Sequence, residues 1–366
     1  MKKILLLAGE ESGLFYAKKI AEHVRARCPD AEIRGYADYG FQTGDLAVMG
    51  IVAVVSHFFY FLRVKRTMER AIDTWRPDVV CTIDYPGMNM RLGAYAKERG
   101  IRAVHVVCPQ VWAWKRGRIP RIERSFDALC CFFPFEPSLF RAGFATFVGH
   151  PLVEEMASEA SVVDAAGSRL LALLPGSRLS EIRHHMPVLL GVVGSLAGEL
   201  DAAGVKVEVP AANEKAYVAL TRAVADAGEA MAARLTVRRG GARALLRRVR
   251  CAVVASGTAT LEAAMARCPT VLVYKVDWLF AKICRLVIKG VRHIGLANVI
   301  AEMAGAECPM VELLQEDMTV ENVVRELRPL LFDPSARNQA VGKLDATMAL
   351  LRSEGDSMTR IADFLI

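Results

Sequence analysis

Leu171-Ala172-Leu173-Leu174-Pro175-Gly176-Ser177-Arg178, with Ser180-Glu181-Ile182 behind it, and Ala252-Val253-Val254-Ala255-Ser256-Gly257-Thr258-Ala259-Thr260-Leu261-Glu262 decide how this chain is read. Each is a short apolar strand that stops at a glycine-containing turn and opens a helix. The first N–H groups of a helix lack partners within it and carry partial positive charge, so such a turn favours an anion. Two such turns in one parallel sheet can surround a nucleotide diphosphate, which makes this half of the chain look like a donor site for an activated sugar. In the first turn Gly176 permits a tight backbone and Ser177 can cap or donate. Arg178 offers a fixed fork of donors suited to phosphate oxygens. In the second, Ser256, Gly257 and Thr258 present hydroxyl and amide donors to a diphosphate. Glu262, four residues after Thr258 on the same helix face, can accept hydrogen bonds from both ribose hydroxyls. Each residue has a plainer reading: an ordinary strand–helix turn with a surface Arg, and a Glu that answers the helix dipole. The pairing of the turns favours phosphate binding.

Outward from these turns, continuous apolar runs alternate with helical patterns. Strands are predicted at 3–8, 78–83, 102–107 and 128–132, then at 170–174, 205–209, 251–255 and 270–274. Helices are predicted at 13–27, 58–75, 89–99, 180–200, 214–227 and 258–266. Buried apolar strands separated by helices mean parallel sheets covered on both faces. There are two such sets, broken near Phe147-Val148-Gly149-His150-Pro151 and followed by a loose stretch at 157–168. The expected fold is α/β: two doubly wound, Rossmann-like domains facing across a cleft, with C-terminal helices. The boundaries are 1–152 for an acceptor- and membrane-facing domain, 165–335 for the donor domain and 336–366 for a helical segment.

A chain of 366 residues with 53% hydrophobic and 24% charged residues is folded and comfortable for two cores. Its nine cysteines include no Cys-x-x-Cys pair, which fits reduced buried thiols in a cytosolic protein and disfavours zinc. No metal and no cofactor are expected. The net charge of +7 sits in residues 1–150, which carry 22 Lys and Arg against 15 Asp and Glu; the remainder balances at 25 against 25. That surplus points to an anionic partner: phosphate, an acidic membrane surface or, least favoured for want of a binding motif, nucleic acid.

The first turn of the chain, Gly9-Glu10-Glu11-Ser12-Gly13, lacks the middle glycine of a dinucleotide fingerprint. Its position at a strand end still puts Glu10 and Ser12 where they can line a crevice. Asp84 ends the strand Asp78-Val79-Val80-Cys81-Thr82-Ile83, the place a general base needs, although a turn-forming Asp before Tyr85-Pro86-Gly87 is the alternative. In Cys108-Pro109-Gln110-Val111-Trp112-Ala113-Trp114-Lys115-Arg116-Gly117-Arg118, Trp112 and Trp114 precede a basic cluster suited to a sugar or a headgroup phosphate, or else fill the core. Residues 46–62, followed by Arg63, Lys65 and Arg66, are read as not transmembrane. They and Trp278–Arg292 combine apolar and basic faces, the pattern of a surface lying in headgroups. Either stretch alone is better read as core; the presence of both favours a membrane surface.

Together these segments resemble lipid A disaccharide synthase, in order and over nearly the whole chain. The resemblance is carried by Ala8-Gly9-Glu10 with Ser12-Gly13, Leu46–Gly50, Ile83-Asp84, Val111–Trp114, Phe147–Pro151, Leu173–Arg178, Ala255–Glu262 and Asn298. It implies the two-domain fold called GT-B. It also implies an inverting, metal-independent hexosyl transfer from UDP-2,3-diacylglucosamine to 2,3-diacylglucosamine 1-phosphate, giving a β-1,6 disaccharide and UDP. By the same resemblance Asp84 would deprotonate the acceptor 6-hydroxyl. Arg178 with Ser256, Gly257 and Thr258 would hold the diphosphate, Glu262 the ribose, and Asn298 would lie near the donor. Glu10 and Ser12, with Trp112 and Trp114, would line the acceptor side. The enzyme would sit in the cytoplasm, peripherally on the inner membrane, with homo-oligomers possible. The chain departs from the family pattern at Glu11, Leu14, a shortened 36–45, Cys108-Pro109-Gln110 and Ala297, mostly in the acceptor half. Two other readings stand beside this one: a related enzyme of the same fold, such as a UDP-N-acetylglucosamine 2-epimerase or a soluble UDP-sugar transferase, and a non-catalytic relative that binds nucleotide or lipid.

Overall fold

The computed structural model describes residues 1–9, 11–41, 58–113, 116–158, 165–277 and 292–366; the side chains of residues 11, 12, 58 and 156–158 fall outside that description. Two compact units form, Met1–Glu154 with Leu351–Ile366, and Glu155–Leu350.

The first unit holds a six-stranded sheet of β1 (Lys3–Ala8), β2 (Glu32–Arg34), β3 (Val79–Ile83), β4 (Arg102–Val106), β5 (Ala128–Cys131) and β6 (Ala145–Phe147). Every pairing is parallel and the order is β2-β1-β3-β4-β5-β6. Its helices are α1 (Glu11–Arg27), α2 (Phe58–Trp75), α3 (Pro86–Lys97) and α4 (Ile119–Ser125), and α5 (Pro151–Ser158) begins in it and runs past its boundary at Glu154. Strand periodicity of two splits β1 between two cores. Leu5 and Leu7 pack with Val64, Met68 and Leu92 under α2 and α3, whereas Ile4 and Leu6 pack with Ile20 and Val24 of α1. A strand buried on both faces must be apolar throughout, so β1 reads as one hydrophobic run.

The second unit holds β7 (Leu170–Leu174), β8 (Lys206–Ala211), β9 (Leu235–Arg239), β10 (Cys251–Ala255), β11 (Thr270–Tyr274) and β12 (Val311–Leu314), again all parallel, in the order β12-β11-β10-β7-β8-β9. Its helices are α6 (Leu179–Ser195), α7 (Ala197–Ala202), α8 (Glu214–Asp226), α9 (Glu229–Ala232), α10 (Ala242–Leu246), α11 (Thr258–Met265), α12 (Leu296–Met303), α13 (Val320–Phe332) and α14 (Pro334–Ala349). Leu171, Leu173, Val253 and Val271 pack against α6, α8 and α13. The helix expected over 180–200 is two, because the backbone leaves helical geometry at Leu196 (φ −98°, ψ 2°).

The segment expected as one piece over 336–366 is shared between the units. α14 ends in the second unit, and residues 351–366 return to the first. There α15 (Ser357–Asp363) buries Met358, Ile361 and Ala362 against Ile20 and Val24 of α1. The Glu154 carboxylate accepts the Ser357 N–H (3.0 Å) and hydroxyl (2.6 Å), and Ser353 Oγ donates to Val148 O (2.9 Å).

Both orders reverse direction at one point, between β1 and β3 and between β7 and β10. In open parallel sheets the crevice outside the carboxyl ends at such a point is where ligands bind. The residues there are Gly9 and Asp84 in one sheet, and Pro175–Arg178 and Ser256–Thr258 in the other. Among the described residues no helix is long and apolar enough to cross a membrane.

Candidate functional site

In the second unit a cavity of about 900 Å³ opens at the β7–β10 reversal. Gly176, Ser177 and Arg178 of one turn line it, together with Ser256, Gly257, Thr258 and Glu262 of the other. The pairing of β7 with β10, Leu174 beside Val254, delivers both turns to one place.

The two turns are not equivalent. Glu181, buried in the first turn of α6, accepts the N–H groups of Ser177 (3.1 Å) and Arg178 (3.2 Å), and its other oxygen takes the Arg178 guanidinium (2.8 Å). An anion of the protein's own thus occupies these amides, contrary to the expectation that they are open to phosphate. Gly176 makes room for it: φ is +106°, and a Cβ would lie 2.3 Å from the Glu181 carboxylate. His185 fixes the turn from beneath, its Nδ1 on Pro175 O (2.7 Å) and its Nε2 accepting the Lys275 N–H (2.9 Å). Burial holds this imidazole below its usual pKa and so neutral. What the first turn offers the cavity is the Arg178 side chain, 64% exposed.

The second turn is open. Among the described residues the N–H groups of Gly257, Thr258 and Ala259 have no protein acceptor, while that of Thr260 bonds Gly257 O (3.2 Å). These orphan donors at the start of α11 face the cavity, the arrangement that binds phosphate. The Ser256 hydroxyl already donates to Ile294 O (3.3 Å), which leaves it an acceptor. Glu262 is partly exposed and paired with Arg243 Nη2 (3.3 Å), a second guanidinium on the cavity wall.

Asn298 is not in that wall. It is fully buried, and its amide is consumed by Met310 O (2.8 Å), the Glu312 carboxylate (2.8 Å) and Met310 N (3.0 Å). Glu312 in turn accepts the Ile294 and Gly295 N–H groups (both 3.0 Å), so among the described residues Asn298 is linked to the cavity through the loop that receives the Ser256 hydroxyl.

In the first unit a cavity of about 210 Å³ lies at the ends of β3 and β4, lined by Asp84, Pro86, Cys108, Gln110, Arg118 and Phe133 among others. The backbone around it is strained. Asp84 (φ 48°), Tyr85 (φ 49°) and Val107 (φ 74°) are all left-handed without being glycine, each costing on the order of 1–3 kcal/mol. Asn89, fully buried on α3, holds this turn: its Nδ2 donates to Ile83 O (3.1 Å) and Asp84 O (2.7 Å), and its Oδ1 accepts from the Tyr36 hydroxyl (3.2 Å). Gly9 admits the Tyr85 ring, which a Cβ there would meet at 2.5 Å. Burial raises the half-buried Asp84 carboxyl above the ordinary carboxylate range, against a hydrogen bond from the Tyr85 backbone that lowers it. A partly desolvated carboxylate at a strained strand end is what a general base requires.

Trp112 does not line this cavity, contrary to its expected place on the acceptor side. It is buried, with its Nε1–H on Glu136 Oε1 (3.2 Å) and its ring edge-on to Phe135. Burial pushes the Glu136 carboxyl up to about 8. Cys108, Cys131 and Glu136 place their ligand atoms within 4.8 Å of one another. The hydrogen bond between the thiols pulls Cys108 down, which burial and Glu136 outweigh, and the same bond together with burial pushes Cys131 up, so both thiols stand above their usual pKa. Glu10, Trp114 and the stretches 42–57 and 278–291 lie outside the described residues; Ser12 is in α1, its side chain undescribed.

Sequence reasoning missed Glu181, Asn89, Arg243 and Glu312. Glu181 had a signal, its capping-box spacing of three residues from Arg178; Asn89 had a weaker one, a polar residue among apolar ones on α3.

With this geometry in view, the comparisons with known proteins decide the family. A family model for lipid-A-disaccharide synthetase matches residues 4–363. The chain belongs to that family. A lipid-A-disaccharide synthase of Acidobacterium capsulatum is 35% identical over 377 residues, taking in 97% of this chain and 93% of that one. The synthase of Myxococcus xanthus is 32% identical and takes in 100% and 97%. A Listeria monocytogenes structure assigned as a UDP-N-acetylglucosamine 2-epimerase superposes with a TM-score of 0.65 over 99% of this chain and 95% of that one; at 12% identity it establishes the fold alone. The activity of the family, lipid A disaccharide synthesis by glycosyl transfer, is the activity of this chain.

Proposed function

We propose that the chain joins a UDP-activated diacylglucosamine to a diacylglucosamine 1-phosphate with inversion at the donor's anomeric carbon. The single observation that carries this reading is the donor cavity, where open amides of residues 257–259, the Arg178 guanidinium and Glu262 share one wall at a sheet reversal. The diphosphate lies on the amides and Arg178, and Glu262, oriented by Arg243, accepts the ribose hydroxyls. Asp84 removes the proton from the acceptor 6-hydroxyl as its oxygen attacks the anomeric carbon from the face opposite UDP. The bond to the β-phosphate oxygen breaks, the negative charge passes to UDP, and amide dipoles and Arg178 stabilise that charge as it grows. Lipid substrates bring the enzyme to the acidic inner-membrane surface. Phe59, 82% exposed on α2, and the exposed Arg63 and Arg66 near it supply an apolar and basic contact.

One experiment tests both parts. Both lipids are presented in acidic phospholipid vesicles, and UDP release and sedimentation of the protein are measured. UDP release that requires both lipids, by protein that sediments with the vesicles, is expected. No release above a heat-killed control contradicts the transfer, and release by protein left in the supernatant contradicts the membrane placement.

A further inference from the structure

We infer that Arg118 is the recognition group for the acceptor's anomeric phosphate; this rests on the transferase reading above. Among the described residues Asp84 is the one carboxylate lining the first unit's cavity and Arg118 its one cation, the rest of the lining being the neutral Gln110, the Cys108 thiol and apolar residues. Sugar stereochemistry makes that pairing meaningful. In a hexopyranose C1 and C5 both flank the ring oxygen. The 1-phosphate leaves from C1 and the 6-hydroxyl from C6 on C5, so both project from the same edge of the ring. A pocket that sets a base on the 6-hydroxyl therefore needs its phosphate-binding cation within the same small cavity, one ring width away. Asp84 and Arg118 line one such cavity. The acyl-bearing C2 and C3 lie on the opposite edge. At about 210 Å³ the cavity is below the 300–1,000 Å³ of sites that enclose a whole ligand, so it takes the headgroup and leaves the chains outside.

A guanidinium grips phosphate through two parallel charge-assisted hydrogen bonds, which a lysine ammonium cannot reproduce. The surplus of 22 basic over 15 acidic residues in positions 1–150 adds a favourable field for the same group.

The test compares kcat/KM for the 1-phosphorylated acceptor with that for the same diacylglucosamine lacking the phosphate, in the unmodified protein, Arg118→Gln and Arg118→Lys. The expected preference for the phosphorylated acceptor is about 10–100-fold in the unmodified protein, from one charge-assisted contact. It falls below about threefold in Arg118→Gln and to an intermediate value in Arg118→Lys, which keeps the charge and loses the fork. KM for the UDP-sugar stays unchanged. A variant that merely perturbs folding lowers both rates together and preserves their ratio, which overturns the assignment, as does an undiminished preference in a fully active Arg118→Gln. UDP release by the unmodified protein with an unaltered preference in the variants defeats this inference alone. No UDP release with either acceptor defeats the transferase reading and this inference with it.

Discussion

Replacing Asp84 by Asn lowers kcat by ~10²–10⁴-fold, the contribution of a positioned general base, and leaves UDP affinity within about threefold. Asn is the right substitution because Asp84 sits at φ 48°, a left-handed conformation that Asn tolerates at least as well as Asp. The Asn89 bonds to the Ile83 and Asp84 carbonyls involve backbone and survive the change. The carboxyl pKa is raised by burial, which fixes the sign of two pH effects. As pH falls through that raised pKa the base takes up a proton, so kcat/KM of the unmodified protein declines on an acid limb above the ordinary aspartate range, and the Asp84→Asn variant shows no such limb. For stability the order reverses. A raised folded-state pKa contributes stability below the ordinary value and loses it as pH rises through the folded value. The Asn variant is therefore the more stable form at neutral pH, measured by denaturant unfolding. An Asn variant that keeps more than about a tenth of its activity, or one that loses UDP affinity, contradicts the assignment of the base.

Replacing Arg178 by Ala lowers kcat by ~10²–10³-fold, the loss measured when one preorganised donor to a developing anion is removed. With both amides of its own turn held by Glu181, the guanidinium is the first turn's contribution to the diphosphate. UDP affinity weakens by about tenfold, the value of one charge-assisted hydrogen bond. Unfolding stability changes little, within about 0.5 kcal/mol, because the side chain is 64% exposed. Arg178→Lys recovers part of the rate. Full activity in the Ala variant shows that the charge on departing UDP is met elsewhere.

How much of this was legible in the sequence follows from burial. The central strands β1, β7, β10 and β11 were read at their observed limits because both faces are covered and every residue is apolar or nearly so. The strands that went unread are β2, β6, β9 and β12, and they are the four sheet edges. An edge strand is half solvated and carries charge, as in Glu32-Ile33-Arg34 and the Arg238-Arg239 end of β9, so its hydrophobic period is too weak to see. At the sites, local sequence exposed whatever a turn does by itself: Gly176, the amides of Gly257 and Thr258, and Asp84 at its strand end; it named neither the Ala259 amide nor the Ile294 carbonyl that takes the Ser256 hydroxyl. It could not show what tertiary neighbours do to those groups. Glu181 closes the first turn's amides, Arg243 arrives beside Glu262 from α10, and Glu136 holds the Trp112 indole in the core. Asn298 reads as a ligand in a motif, yet it spends its whole amide on β12 and the residue before it.

Everything on the donor side depends on a nucleotide diphosphate resting on the open turn at the start of α11 and not on the closed one at the start of α6. Amide hydrogen exchange with and without saturating UDP separates the two. Strong new protection is expected at Gly257, Thr258 and Ala259, with little change at Ser177 and Arg178, whose N–H groups Glu181 already holds. Protection gained at Ser177 and Arg178 with none at 257–259 would place the phosphates on the other turn and overturn the assignment.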